Sequence, residues 1–129
     1  MGLDMYLERA LKSERANKIK NTEEVVYWRK ANQIREWFVM NTGYDTNADC
    51  EYHLLTKKNL EDLVKDCKAV LADHSKASKL LPTSNGFFFG NEEYGEWYFD
   101  DLEYTIENIT RLFETTDFDN EDIYYYEWW

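Results

Sequence analysis

Residues 92–115 constrain this chain more than any other stretch. At about 100° per residue, Tyr98, Leu102, Thr105, Ile106, Ile109, Leu112 and Phe113 share one side of a helix. On the other side Glu93, Glu96, Asp100, Glu103, Glu107 and Glu114 fall within an arc about 80° wide. Such a helix has one way to sit, with its apolar stripe against other elements and its carboxylates in water. Asn91 is the expected N-cap, and Glu92 and Glu93 suit the first turn of the helix.

The carboxylates recur every three or four residues, with one longer gap before Glu114. They make a row with a mean step of about 5 Å over about 30 Å. No lysine stands four residues away to pair with them, and Arg111 is the one cation in the segment. Like charges at this spacing cost about 0.2–0.5 kcal/mol per pair. One reading is a plain solvated face. The sharper reading is an imitation of a phosphate backbone, shaped for a basic groove. A cation site fits less well, because hard cations need carboxylates converging from several directions.

Composition extends the same asymmetry. The 129 residues carry 15 Lys+Arg and 26 Asp+Glu, a formal charge of −11. Residues 1–81 hold 14 basic and 13 acidic side chains, and residues 82–129 hold Arg111 and 13 acidic ones. This disfavours direct nucleic-acid binding, which needs cations to displace counterions, and binding to anionic membranes. Aromatics reach 17%, enough for a core despite a mean hydropathy of −0.74. No apolar run approaches the ~20 residues that span a bilayer. The first ten residues include Asp4 and Glu8 and have no apolar centre, so they do not read as a signal peptide. Cytoplasmic residence is the expectation.

Along the chain, Leu3, Met5 and Leu7 alternate with polar residues, the pattern of a half-buried strand. Residues 8–21 read as a polar, lysine-rich helix or loop. Residues 24–28 are β-branched and aromatic and lead into a helix over 29–40, stopped near Gly43. Residues 51–55 suggest another strand. Thr56 caps a helix carrying Leu60, Leu63, Val64, Cys67, Val70 and Leu71 on one face. Asn85-Gly86 is a turn signal ahead of Phe87-Phe88-Phe89-Gly90. Residues 123–129 have high β propensity. These elements predict a single α+β domain over 1–129. A small antiparallel sheet of three to four strands packs against about three helices, with the terminal strands as neighbours.

Signals for chemistry are sparse. Cys50, His53, Cys67 and His74 supply metal-type donors, but their spacing is not that of a structural zinc site, and buried thiols are the plainer reading. No phosphate-binding glycine loop, nucleophile elbow or paired-histidine zinc helix is present. No catalytic residue, metal or cofactor is assigned, and the chain is not read as an enzyme. A ligand pocket is an alternative. Trp28, Arg29 and Lys30, with Phe87, Phe89 and Gly90, offer rings and cations suited to a nucleotide. Against it, Tyr27 and Trp28 read more simply as core beside solvated cations.

Several blocks have a distinctive spelling. They are Met1-Gly2-Leu3-Asp4-Met5-Tyr6-Leu7, Tyr27-Trp28-Arg29-Lys30-Ala31-Asn32, Trp37-Phe38-Val39, Leu81-Pro82-Thr83, Gly86-Phe87-Phe88-Phe89-Gly90, Glu93-Tyr94 and Trp97-Tyr98. In spelling and order they are similar to a family of small uncharacterised proteins found in bacteriophage and prophage genomes. The resemblance covers about a third of the positions, end to end. Two departures stand out: relatives carry a longer insert after the first strand, and Gly95 replaces a usual acidic residue. The resemblance implies a phage origin and a bacterial host cytoplasm, with no established activity and no catalytic role to carry over.

The resulting expectation is a phage-encoded acidic inhibitor, of anti-CRISPR or anti-restriction type. It would bind a host protein with a basic surface, such as a nuclease, by nucleic-acid mimicry. Its face would comprise Glu93, Glu96, Asp100, Glu103, Glu107 and Glu114, extended by Asp117, Asp119, Glu121 and Asp122. The alternatives are a sponge for a nucleotide defence signal, using the pocket residues, or a homo-oligomer joined through Tyr125, Trp128 and Trp129.

Overall fold

The computed structural model describes residues 2–15, 19, 21–47, 51–83 and 94–128. Among the described residues, four strands and four α-helices form an α+β fold. The strands are β1 (Asp4–Leu11), β2 (Glu23–Arg29), β3 (His53–Leu55) and β4 (Glu121–Trp128). The helices are α1 (Asn32–Thr42), α2 (Lys57–Ala72), α3 (Ala77–Leu80) and α4 (Glu96–Thr115).

The sheet is antiparallel throughout, in the order β2-β1-β4-β3. The two terminal strands are its central pair, with Leu7 opposite Tyr125 and Tyr6 opposite Tyr126. Alternation along these strands decides what each face meets. Met5, Leu7, Val26, Trp28, Leu55, Ile123 and Tyr125 point to the helices and are buried. Against them pack Ile34, Trp37 and Phe38 of α1, Leu60, Leu63 and Cys67 of α2, and Leu102, Ile109 and Leu112 of α4. The opposite face carries Tyr6, Glu8, Tyr27, Tyr124 and Tyr126.

Element boundaries shift from the expectation for local reasons. β1 continues to Leu11 and a 3-10 turn follows at Lys12–Glu14, where a polar helix or loop was expected. Glu8 and Arg9 pair with both β2 and β4, and Ala10 and Leu11 with β4, which holds the stretch in the ladder. β2 extends through Arg29, so α1 begins at Asn32 and not at 29. Lys30 makes the reversal between them, with a left-handed φ of 57°. Gly43 ends α1 in the left-handed region, as its position suggested. Thr56 caps α2 in a reciprocal box: its hydroxyl accepts from the Asn59 N–H at 3.0 Å, and its N–H donates to Asn59 Oδ1 at 2.9 Å. α4 starts at Glu96 behind Gly95, four residues later than expected. Asn91, the proposed N-cap, and residues 92–93 lie outside the described residues.

Candidate functional site: an acidic helix face

Four side-chain anchors fix the orientation of α4. The Trp28 indole N–H donates to Thr105 Oγ1 at 2.9 Å, and that hydroxyl donates to the Asp101 carbonyl at 2.7 Å. Thr105, the one polar member of the inner stripe, is therefore satisfied in the core. The Tyr98 hydroxyl donates to the Leu81 carbonyl at 2.6 Å, and the Tyr104 hydroxyl to the Tyr27 carbonyl on β2. Gln33 of α1 donates to Asp101 Oδ2 at 3.1 Å. Tyr98, Leu102, Thr105, Ile109 and Leu112 are buried, while Ile106 and Phe113 are half-buried.

With the stripe held inward, Glu96, Asp100, Glu103, Glu107 and Glu114 are all exposed. Arg111 reaches Glu107 at 3.3 Å. Among the described residues no cation from the first 81 positions makes an ion pair with this row. Several cations of that half pair elsewhere: Arg9 with Glu23, Arg15 with Asp122, Arg29 with Asp4, Arg35 with Glu127 and Lys58 with Asp62. Two exposed rings, Trp97 and Tyr104, flank the row on one side. Glu93 lies outside the described residues.

The extension beyond α4 is only partly available. Asp117 is exposed but stitches a turn, accepting from the Asp119 N–H and from Asn120 Nδ2 at 2.7 Å. The Asn120 bond first, then the Asp119 N–H, holds its carboxyl below the usual range. Asp119 is exposed. Glu121 is half-buried, accepts from the Asp117 N–H and sits 3.6 Å from Arg9 Nε. Asp122 does not belong to the exposed face. It points to the other side of the sheet, is buried, and is held by Arg15 through two bonds of 2.6 Å. Both residues lie in β4, where alternation and not helical period sets direction. Beside them lies an open cavity of about 250 Å³, lined by Lys12, Lys57, Phe118 and Ile123 among others.

The alternative pocket is not assembled among the described residues. Trp28 is core, edge-on to Phe38, with its polar N–H spent on Thr105. Arg29 is exposed and paired with Asp4 at 3.0 Å, and Lys30 is exposed. Phe87, Phe89 and Gly90 lie outside the described residues. The oligomer reading loses Tyr125, which is fully buried against Phe38 and Tyr44. Trp128 is exposed, and Trp129 is outside the described residues.

Burial pushes the Cys67 thiol far up, away from nucleophilic or ligating chemistry at neutral pH. Cys50 lies outside the described residues. His53 Nε2 lies 3.1 Å from the Thr42 hydroxyl and carbonyl, and His74 stacks on Phe99. Among the described residues no three His, Cys, Asp or Glu side chains converge as metal ligands. No described helix is long and apolar enough to cross a membrane.

Two groups were hidden from pattern reasoning. Asp101 lies on α4 between the inner stripe and the acidic row, where burial pushes its carboxyl up to about 6 against the opposing Gln33 bond. The Arg35–Glu127 pair, 2.9 Å apart, is buried between α1 and β4, with the Tyr125 hydroxyl also donating to Glu127 at 2.8 Å. An arginine on an apolar helix face and a glutamate among strand aromatics were the available signals, 92 positions apart.

No family model, no curated protein and no solved structure matches the chain.

Proposed function

We propose that this chain is a phage-encoded inhibitor that binds a host nucleic-acid-binding defence protein through the outer face of α4. One observation carries the reading. Glu96, Asp100, Glu103, Glu107 and Glu114 stand exposed along about five turns of one helix face, and Arg111 is the one described cation paired with them. A row of carboxylates on a rigid, well-anchored rod offers a basic groove a fixed charge pattern. It pays little ordering entropy on binding. Trp97 and Tyr104 beside the row supply the apolar, low-entropy contacts that concentrate binding energy at interfaces. The phage assignment rests on the sequence blocks described above, and the nuclease class on the chemistry of the face.

The test is competition. A panel of bacterial defence nucleases, of CRISPR and restriction type, is assayed for DNA binding with and without this protein. Inhibition of a susceptible nuclease should weaken steeply as salt rises, since the face works by charge. Reversing Glu96, Asp100 and Glu103 to lysine should lower affinity for that nuclease by about a hundredfold or more. Inhibition that survives the triple reversal and high salt would exclude the mimicry mechanism. Absence of inhibition across the panel would count against the whole reading.

A further inference from the structure

The helices cover one face of the sheet. On the other, Tyr27, Tyr6 and Tyr126 form a row from β2 across β1 to β4, with ring centroids 5.3 and 6.0 Å apart. Tyr52 continues it, stacked on Tyr126 at 4.9 Å. Among the described residues no helix covers this row, and Trp128 and Leu54 stand exposed at its margins.

A bulge adds charge to the rings. The register between β1 and β2 shifts after Leu7, so that Val26 faces Leu7 but Glu24 faces Glu8. Unbroken alternation would have put Glu24 on the helix side with Val26 and Trp28. The bulge turns it outward and sends Glu23 inward to Arg9, 2.8 Å away. Two carboxylates now stand directly opposite each other on adjacent strands, an arrangement that destabilises a sheet. Neither has an ion pair or a side-chain hydrogen bond among the described residues. Among the described residues, two cations of this face are engaged, Arg29 with Asp4 and Arg15 with Asp122. The Tyr6 hydroxyl is held above its ordinary pKa, first by burial and then by Asp4, Glu24 and Glu8, so these carboxylates all act on one ring.

We infer that the outer sheet face is a second docking surface, for an arginine-bearing extended peptide segment of a protein partner, with a guanidinium seated between Glu8 and Glu24 against the Tyr6 ring. Guanidinium matches both features at once. It stacks on aromatic rings and forks onto carboxylates, and it would offset one of the two opposed charges. Phosphate-bearing ligands meet uncompensated carboxylates here. A second copy would bring its own Glu8 and Glu24 onto this face in a chain of charge −11. The surface is separate from α4, which lies across the sheet, so the inference stands apart from the proposed function.

The test uses the full chain and a short peptide of alternating Arg and Ser, with Lys–Ser and Glu–Ser peptides as controls. Calorimetry measures affinity and backbone amide shifts locate binding. Two double variants remove equal charge, Glu8→Gln/Glu24→Gln on the sheet and Glu96→Gln/Glu103→Gln on α4. The sheet variant should bind the Arg–Ser peptide about tenfold more weakly and the α4 variant less than about twofold. Shifts should map to β1, β2 and β4, with Arg–Ser preferred over Lys–Ser. Thermal melts confirm that both variants fold, and the sheet variant should melt no lower than the parent. Equal losses in both variants, shifts confined to α4, or no binding at low salt would overturn the inference. Concentration-dependent self-association abolished by the sheet variant would do the same, in favour of a second copy.

Discussion

Asp101 is a residue whose charge state is set by the fold. Its carboxyl is pushed up to about 6 by burial under α1, beyond what the Gln33 hydrogen bond restores. The native state therefore binds this proton more tightly than the unfolded chain does. Its contribution to stability is complete below about pH 4 and is lost as pH rises through about 6. Asp101→Asn keeps the Gln33 bond and removes the charge. The variant should match the parent near pH 4 and exceed it by about 1 kcal/mol at pH 8, a figure discounted for the solvent the group still sees. Chemical denaturation at the two pH values checks this, and an equal change at both would refute it. The Arg35–Glu127 pair is the opposite case, a charge pair closed inside the molecule with Tyr125 as a third partner. Removing one partner of such a pair typically costs about 3–5 kcal/mol. Neither environment was legible beforehand, because both are set by elements distant in sequence.

At the scale of elements, the helices were more legible than the strands. The stripe from Leu60 to Val70 and the Thr56 cap follow from local period and local hydrogen bonding, and both appear as read. Thr56→Ala removes the acceptor for the Asn59 N–H and loosens the reciprocal bond. It should cost about 1 kcal/mol in the unfolding free energy, with Thr56→Ser close to neutral. An unaffected midpoint for the alanine variant would mean that packing alone holds the start of α2. The stretch 8–11, expected as helix or loop, is strand for a reason that lies outside it. Glu8 and Arg9 pair with strands on both sides, Ala10 and Leu11 with β4 alone, and such a ladder overrides local composition. The bulge at Val25 was likewise invisible, since no glycine or proline marks it. Its effect is large all the same, because a one-residue slip exchanges the faces of Glu23 and Glu24.

For the whole molecule, the excess of carboxylates is a self-repulsion distributed over surfaces that the core must hold together. Raising NaCl from about 20 mM to about 500 mM should therefore raise the unfolding midpoint, because screening relieves the native state more than the expanded chain. A midpoint that falls with salt would show that favourable ion pairs such as Arg15–Asp122 dominate instead. Sequence alone determined that a helix ending at Thr115, read from residue 92 and observed from Glu96, has one buried side, that the acidic row lies opposite it, and that the chain is α+β. Those properties follow from periodicities of 3.6 and 2, which are local. Only the tertiary structure decided that Asp122 is buried under Arg15 while Asp119 stays exposed. It also decided that Tyr27, read as core together with Trp28, lies on the outer sheet face, and that Glu8 and Glu24 stand face to face. Each of these depends on strand register and on which distant element supplies the partner, and no local pattern encodes a partner about a hundred residues away.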